Sequence, residues 1–326
     1  MKKFLTICTK CFNFMKNILS FPFNSKLVFK IFENLLKGSP GGYILSFHDL
    51  SPEVFMSQVE CLQPSKPISL NELISRYKSG KSIKNCFAIT FDDGVETTVK
   101  KNWKICLEKK WPITFYLPTD YIGGDNLPFH KIQLLNKFLE NKDFKLPKKK
   151  GDDKEKIVSK KEIIKYLRNI IYFESYQNVK NYLDYFLNFL PHKSELENYD
   201  VIMPRAISWD EIRDISKNEL SSFQSHGVTH TACSGLSEND LKVEMTKSKK
   251  IIENCTGKIV NSFCYPYGAP ESINNLSVEV ASRYFEYSTT LIKGRLKSNC
   301  KLHYLPRIDL YQENKSSLAR MKVALS

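Results

Sequence analysis

The N-terminus lacks the ~20 uninterrupted apolar residues that a membrane-spanning helix needs. Lys10 and Lys16 cut the run in "MKKFLTICTKCFNFMKNILSFPF", and no small-residue cleavage site follows, so neither a span nor a secretory leader is expected. A disulfide framework is absent too. The nine cysteines are odd in number and scattered through a chain large enough for its own core, which favours reduced thiols and a cytoplasmic location. Cys8 and Cys11 form a C-x-x-C, but no second pair or His pair at zinc spacing accompanies it, so a structural zinc is not expected there. The sequence also carries no nucleic-acid motif. There are 49 Lys+Arg against 35 Asp+Glu, a net charge of +14, and many of the lysines fall in "KLPKKKGDDKEKIVSKKEIIKYLR" (145–168), where acids are mixed in and no aromatic platform appears. No nucleic-acid partner is expected. The charge suits solubility or an anionic partner such as a phospholipid headgroup or a phosphorylated glycan.

With 326 residues and 42% hydrophobic content the chain can bury one large core. Residues 1–40 read as a basic, amphipathic helical extension, which fits either packing on the main body or peripheral contact with a membrane surface. Residues 41–326 read as one domain. Strand patterns in "YILSF", "CFAITF", "PITFYLPT", "LSSFQSH", "VNSFCYPYG" and "YSTTL" alternate with helical ones, which argues for a parallel sheet or barrel. Ser51 and Ser69 stand as N-caps, and Gly80 and Gly257 as helix stops. The segment at about 125–205 breaks the alternation; it is rich in Lys and Asn, has no clean strand pattern, and is expected to be a helical insertion.

Three predicted strands end in polar groups, and in α/β barrels such ends share a face where sites are built. "TFDDG" supplies Asp92 and Asp93, "SHGVTH" supplies His226 and His230, and "SFHDL" supplies His48. Adjacent carboxylates repel, so the pair calls for a cation. The i, i+4 histidines can face one point if their turn is helical. One carboxylate and two imidazoles make a suitable set for a divalent metal with open positions, leaving the second carboxylate to act as a base. A non-haem iron oxygenase uses the same ligand types, but it leaves the second acid and "CYPYG" without a role.

These residues resemble the motifs of the polysaccharide deacetylases with the NodB homology domain, the family 4 carbohydrate esterases. "TFDDG" resembles the first motif and "SHGVTH" the second, with Gly227 where the family usually has a Ser or Thr whose hydroxyl braces the loop. "FCYPYG" (263–268) is similar to the third motif in the branch with Tyr-Pro-Tyr-Gly. The likeness covers about residues 43–125 and 205–310.

The resemblance implies an irregular (β/α)7-type barrel and metal-dependent removal of N-acetyl or related acyl groups from an amino sugar or glycan precursor, in surface polysaccharide biosynthesis. It implies Asp93, His226 and His230 as ligands of a divalent metal, zinc foremost, with cobalt or nickel as alternatives. Asp92 is then the general base. The general acid is expected to be His48, with His303 in "KLHYLPR" as the alternative, and the backbone amide after Cys264 is a second oxyanion donor. Tyr265, Pro266, Tyr267 and Arg307 are expected to contact the substrate; Arg307 and Asp309 also fit a pair at the rim that orients Asp92. Trp209 fits core packing or sugar stacking, and His130 and His192 read as surface residues. The competing readings are an inactive glycan-binding protein on the same fold, and a deformylase or deacetylase acting on a lipid-linked sugar.

Overall fold

The structure, a computed structural model, describes residues 42–124, 126–146, 157–310, 318–319 and 322–323. The N-terminal extension expected over residues 1–40 lies outside the described residues. No helix among the described residues is long and apolar enough to cross a membrane.

Ten strands are present among the described residues: β1 (Tyr43–Phe47), β2 (Lys66–Pro67), β3 (Cys86–Phe91), β4 (Ile113–Leu117), β5 (Asp143–Lys145), β6 (Ile157–Ser159), β7 (Ser221–Ser225), β8 (Ser262–Cys264), β9 (Tyr287–Lys293) and β10 (Leu305–Asp309). The longer helices are α1 (Pro52–Glu60), α2 (Leu70–Lys78), α3 (Glu96–Lys109), α4 (Pro128–Phe138), α5 (Lys160–Phe173), α6 (Tyr176–Leu187), α7 (Trp209–Ser216), α8 (Glu238–Thr256) and α9 (Asn275–Tyr284). Ser51 and Ser69 cap α1 and α2 by accepting from the Val54 and Glu72 amides.

Seven of the strands close into a parallel barrel in the order β1, β3, β4, β7, β8, β9, β10, with β1 pairing both β3 and β10. The expected α/β barrel is therefore the observed fold. Alternation along each strand sorts side chains into two layers. Phe47, Phe91, Phe115 and Phe223 are successive cross-strand partners, and their rings lie 5.2, 6.1 and 5.3 Å apart on the outer, helix-covered surface. Each such aromatic pair is worth roughly 0.5–1.5 kcal/mol beyond its buried area. The ladder locks the register, so the residues after Phe47 and Phe91, which are His48 and Asp92, reach the barrel mouth side by side. The opposite layer faces the barrel axis. Ile44, Ala88, Tyr116, Cys264, Tyr287 and Leu305 form one cluster with Leu70, Leu73 and Ile74 of α2, which plug the bottom of the barrel.

Between β4 and β7 the chain leaves the barrel and builds a separate apolar cluster from α4, α5 and α6, including Ile132, Ile163, Leu167 and Phe186. This segment is not purely helical: β5 and β6 form an antiparallel pair within it. Three-residue strands carry too little alternation to be read from sequence. Strand β10 was hidden for another reason, since Pro306 and Arg307 interrupt any apolar pattern. It is nevertheless the strand that closes the barrel.

Candidate metal centre and catalytic pocket

Successive residues of a strand point to opposite faces, so Asp92 and Asp93 would diverge if β3 continued. Instead Asp93 and Gly94 both adopt left-handed backbone, with φ of +72° and +74°. The kink keeps both carboxylates at the mouth, where they are buried, and Gly94 is needed because a Cβ there would lie 2.7 Å from Leu117 Cδ2.

His226 continues β7, and His230 follows through a loop that is not helical. The helical turn expected for the i, i+4 pair is replaced by left-handed Gly227 (φ +82°) and left-handed His230 (φ +58°), which bring the rings to 4.7 Å. The two Nε2 atoms lie 3.8 and 3.3 Å from the same oxygen, Asp93 Oδ1. His226 Nδ1 bonds the Cys264 carbonyl at 2.7 Å, which directs the Nε2 lone pair to that point. Burial pushes the His226 imidazole down to about 4, so it is neutral near pH 7, as a ligand must be. Burial raises the Asp93 carboxyl, but the bond and charge of His230, with His48 and His226, outweigh it and hold the group well below the usual carboxylate range. Asp93 Oδ1 is buried, with the two imidazole nitrogens as its neighbours and no well-aligned hydrogen bond among the described residues. An acceptor oxygen and two imidazole nitrogens converging in this way fit a divalent cation.

A second set, Asp92, His226 and Cys264, is equally close-packed. It is already occupied by a cationic side chain. Arg307 reaches in from β10 and holds both oxygens of Asp92, Nη1 to Oδ1 at 2.8 Å and Nη2 to Oδ2 at 2.7 Å. It also donates to Cys264 Sγ at 3.0 Å, to Thr90 Oγ1 at 3.0 Å and to the Thr290 carbonyl at 2.8 Å. Burial alone would raise the Asp92 carboxyl; the charge and bonds of Arg307 outweigh it and hold it low. The two adjacent acids therefore have different environments, one against a guanidinium and one against two imidazoles.

His48 stands at the same mouth, a quarter exposed, with Nε2 3.6 Å from Asp92 Oδ2 and Nδ1 3.9 Å from Asp309 Oδ1. Asp309 thus neighbours His48. His303 lies at the other end of the barrel: it precedes β10, its Nδ1 is 3.5 Å from Ser288 Oγ near the start of β9, and its carbonyl accepts from the Tyr265 hydroxyl.

Several expected contacts need correction. Arg307 is fully buried and its donors are consumed inside the barrel, so it cannot touch substrate. Tyr265 is also fully buried, packed edge-on against Phe263 on the outer layer, and its amide donates to the Thr289 carbonyl at 3.1 Å, which removes it as an oxyanion donor. Pro266 is buried over Gly227. Tyr267 alone of the four is partly exposed at the mouth, its ring 4.7 Å from that of His230 and 5.2 Å from Tyr172 of the segment between β4 and β7. His130 is not a surface residue: it is 5% exposed, packed against Phe129 and Tyr121 at the same rim. Its position at the start of α4 gave no sequence signal. Trp209 packs on the barrel core, and His192 is exposed.

Residues 163–285 match the family model for polysaccharide deacetylase. This stretch is similar to the polysaccharide deacetylases. The matched stretch includes His226, His230 and the Cys264–Gly268 turn and stops short of β3 on its N-terminal side. Solved structures with a similar barrel include the Streptococcus pyogenes deacetylase PplD in complex with acetate (14% identity, TM-score 0.55, covering 88% of this chain and 100% of that one). Others are the deacetylase domain of BpsB from Bordetella bronchiseptica (15%, 0.53, 83% and 96%) and IcaB from Ammonifex degensii (12%, 0.51, 88% and 97%). At these identities they establish the barrel fold alone. No curated protein sequence matches the chain.

Proposed function

We propose that the protein is a metal-dependent hydrolase that removes an N-acetyl or related acyl group from an amino sugar of a surface polysaccharide or its precursor. The observation that carries this reading is the convergence of Asp93 Oδ1, His226 Nε2 and His230 Nε2 beside a second carboxylate, Asp92, held by Arg307. The deacetylase match and the similar barrels of BpsB and IcaB support it. Asp93, His226 and His230 would hold a divalent cation, zinc foremost. Such an ion lowers the pKa of a water towards ~7 and takes up charge at a carbonyl oxygen.

The remaining chemistry falls to the chain's own side chains. Asp92, oriented by Arg307, accepts a proton from the attacking water. The water oxygen bonds to the acyl carbon, the C–N bond breaks, the departing amine takes a proton from His48, and the carboxylic acid product leaves. The Tyr267 amide, which has no hydrogen-bond partner among the described residues, is the donor that replaces Tyr265 at the oxyanion. The proposed site of action is the cytoplasm, on a precursor or growing glycan.

The test is acetate release from N-acetylhexosamine oligosaccharides, nucleotide sugars and lipid-linked sugars with zinc, cobalt or nickel supplied. Release that a chelator abolishes and metal restores supports the proposal. Asp92→Asn should stop release while the metal still binds; loss of the metal along with it would remove Asp92 as the base.

A further inference from the structure

The loop that carries the two histidines is held at both faces. The carbonyls of Gly227 and Val228 accept from the Thr119 and Asp120 amides at 3.1 and 2.8 Å. The amides of Val228 and Thr229 donate to one oxygen of Glu244, Oε2, at 2.7 and 3.0 Å, and the Thr229 hydroxyl donates to Oε1 at 2.8 Å. Glu244 sits in the middle of α8, 9% exposed, and among the described residues it has no ion-pair partner. A carboxylate stripped of water at this position is tolerated because three donors of the histidine loop replace that water.

The same loop is strained. His230 is a non-glycine residue at φ +58°, a conformation that persists only where the surroundings over-determine it. Gly227 has no Cβ, and one placed there would lie 2.9 Å from Glu244 Oε2. The glycine that stands where the resemblance leads one to expect Ser or Thr therefore makes room for the carboxylate. It gives up one brace and admits another.

We infer that Glu244 is a positioning residue of the metal centre. It fixes residues 227–229 so that His230 stays left-handed and its Nε2 meets His226 Nε2 at Asp93. The inference rests on the proposed reading of those three residues as metal ligands. It predicts that the hydrogen bonds, rather than the charge, do the positioning. In Glu244→Gln the amide oxygen can take the place of Oε2, and the amide nitrogen can donate to Thr229 Oγ1, whose proton then turns to Thr231 Oγ1, 2.6 Å away.

Two measurements test it on the full chain: cobalt(II) affinity by competition with a chelator, and hydrogen exchange of the Val228 and Thr229 amides. Glu244→Ala, and Glu244→Asp with its shorter reach, should bind cobalt about 10–100-fold more weakly and exchange both amides faster. Glu244→Gln should match the wild type in both. A folded Glu244→Ala with wild-type affinity and exchange overturns the inference, as does a Gln variant that behaves like Ala. If Glu244→Ala does not fold, the Asp and Gln variants carry the comparison. If the wild type binds no cobalt, the metal reading fails by itself. Exchange then decides the brace: slow amides that become fast in Glu244→Asp support it, and amides already fast in the wild type overturn it.

Discussion

Arg307 and Asp92 meet through two parallel hydrogen bonds of 2.8 and 2.7 Å inside the barrel, although they lie 215 residues apart in the chain. A buried pair of this kind is costly to break from one side, because the surviving charge is left without water or partner. Arg307→Lys keeps the charge but cannot hold both oxygens of Asp92 in one plane. Its turnover should fall by roughly 10–100-fold, part of the ~10²–10⁴ a positioned base supplies, with cobalt affinity little changed. Arg307→Ala should cost about 3–5 kcal/mol in denaturant unfolding, for the reason just given.

His48 shares the mouth with Asp92, whereas His303 lies against Ser288 at the far end of the strands. His48→Ala should slow acetate release by about 10²-fold or more. His303→Ala should leave it near the wild-type rate. The reverse order in steady-state kinetics would transfer the acid role away from His48.

Gly94 is the hinge that lets the chain leave the mouth after the two acids. Gly94→Ala places a methyl 2.7 Å from Leu117 Cδ2 and strains a φ of +74°. The variant should lose roughly 1–3 kcal/mol of stability, measured by urea unfolding. Its metal affinity should weaken as well, because Asp93 immediately precedes the strained residue.

His130 offers a pH test that does not involve a proposed ligand. Burial pushes its imidazole down to about 4; the acids Asp93 and Asp49 oppose that and His230 adds to it. An unfolded histidine titrates near ~6.5. Between these values the unfolded chain binds a proton that the folded one refuses, so stability falls as pH drops from ~6.5 towards 4 and gains nothing above that window. In His130→Phe this component disappears. The loss in thermal unfolding temperature between pH 7 and pH 5 should be smaller than in the wild type.

The alternation of the longer strands and helices, the adjacent acids and the histidine pair were legible in the sequence because each depends on short-range patterning, whereas closure into a barrel was implied only by the resemblance. An apolar run of six residues that ends in two acids reads the same wherever the strand is placed. The caps at Ser51 and Ser69 are local in the same sense. Partnership across the barrel is different, since it depends on register and on which strand closes the ring. Tertiary structure alone decided that Arg307 serves Asp92 instead of a substrate, that His48 and not His303 stands at the mouth, that His130 is buried, and that Glu244 grips the loop between the histidines. These residues are brought together only when β10 pairs with β1, and when α8 and the segment between β4 and β7 pack against the rim. No spacing along the chain encodes those distances.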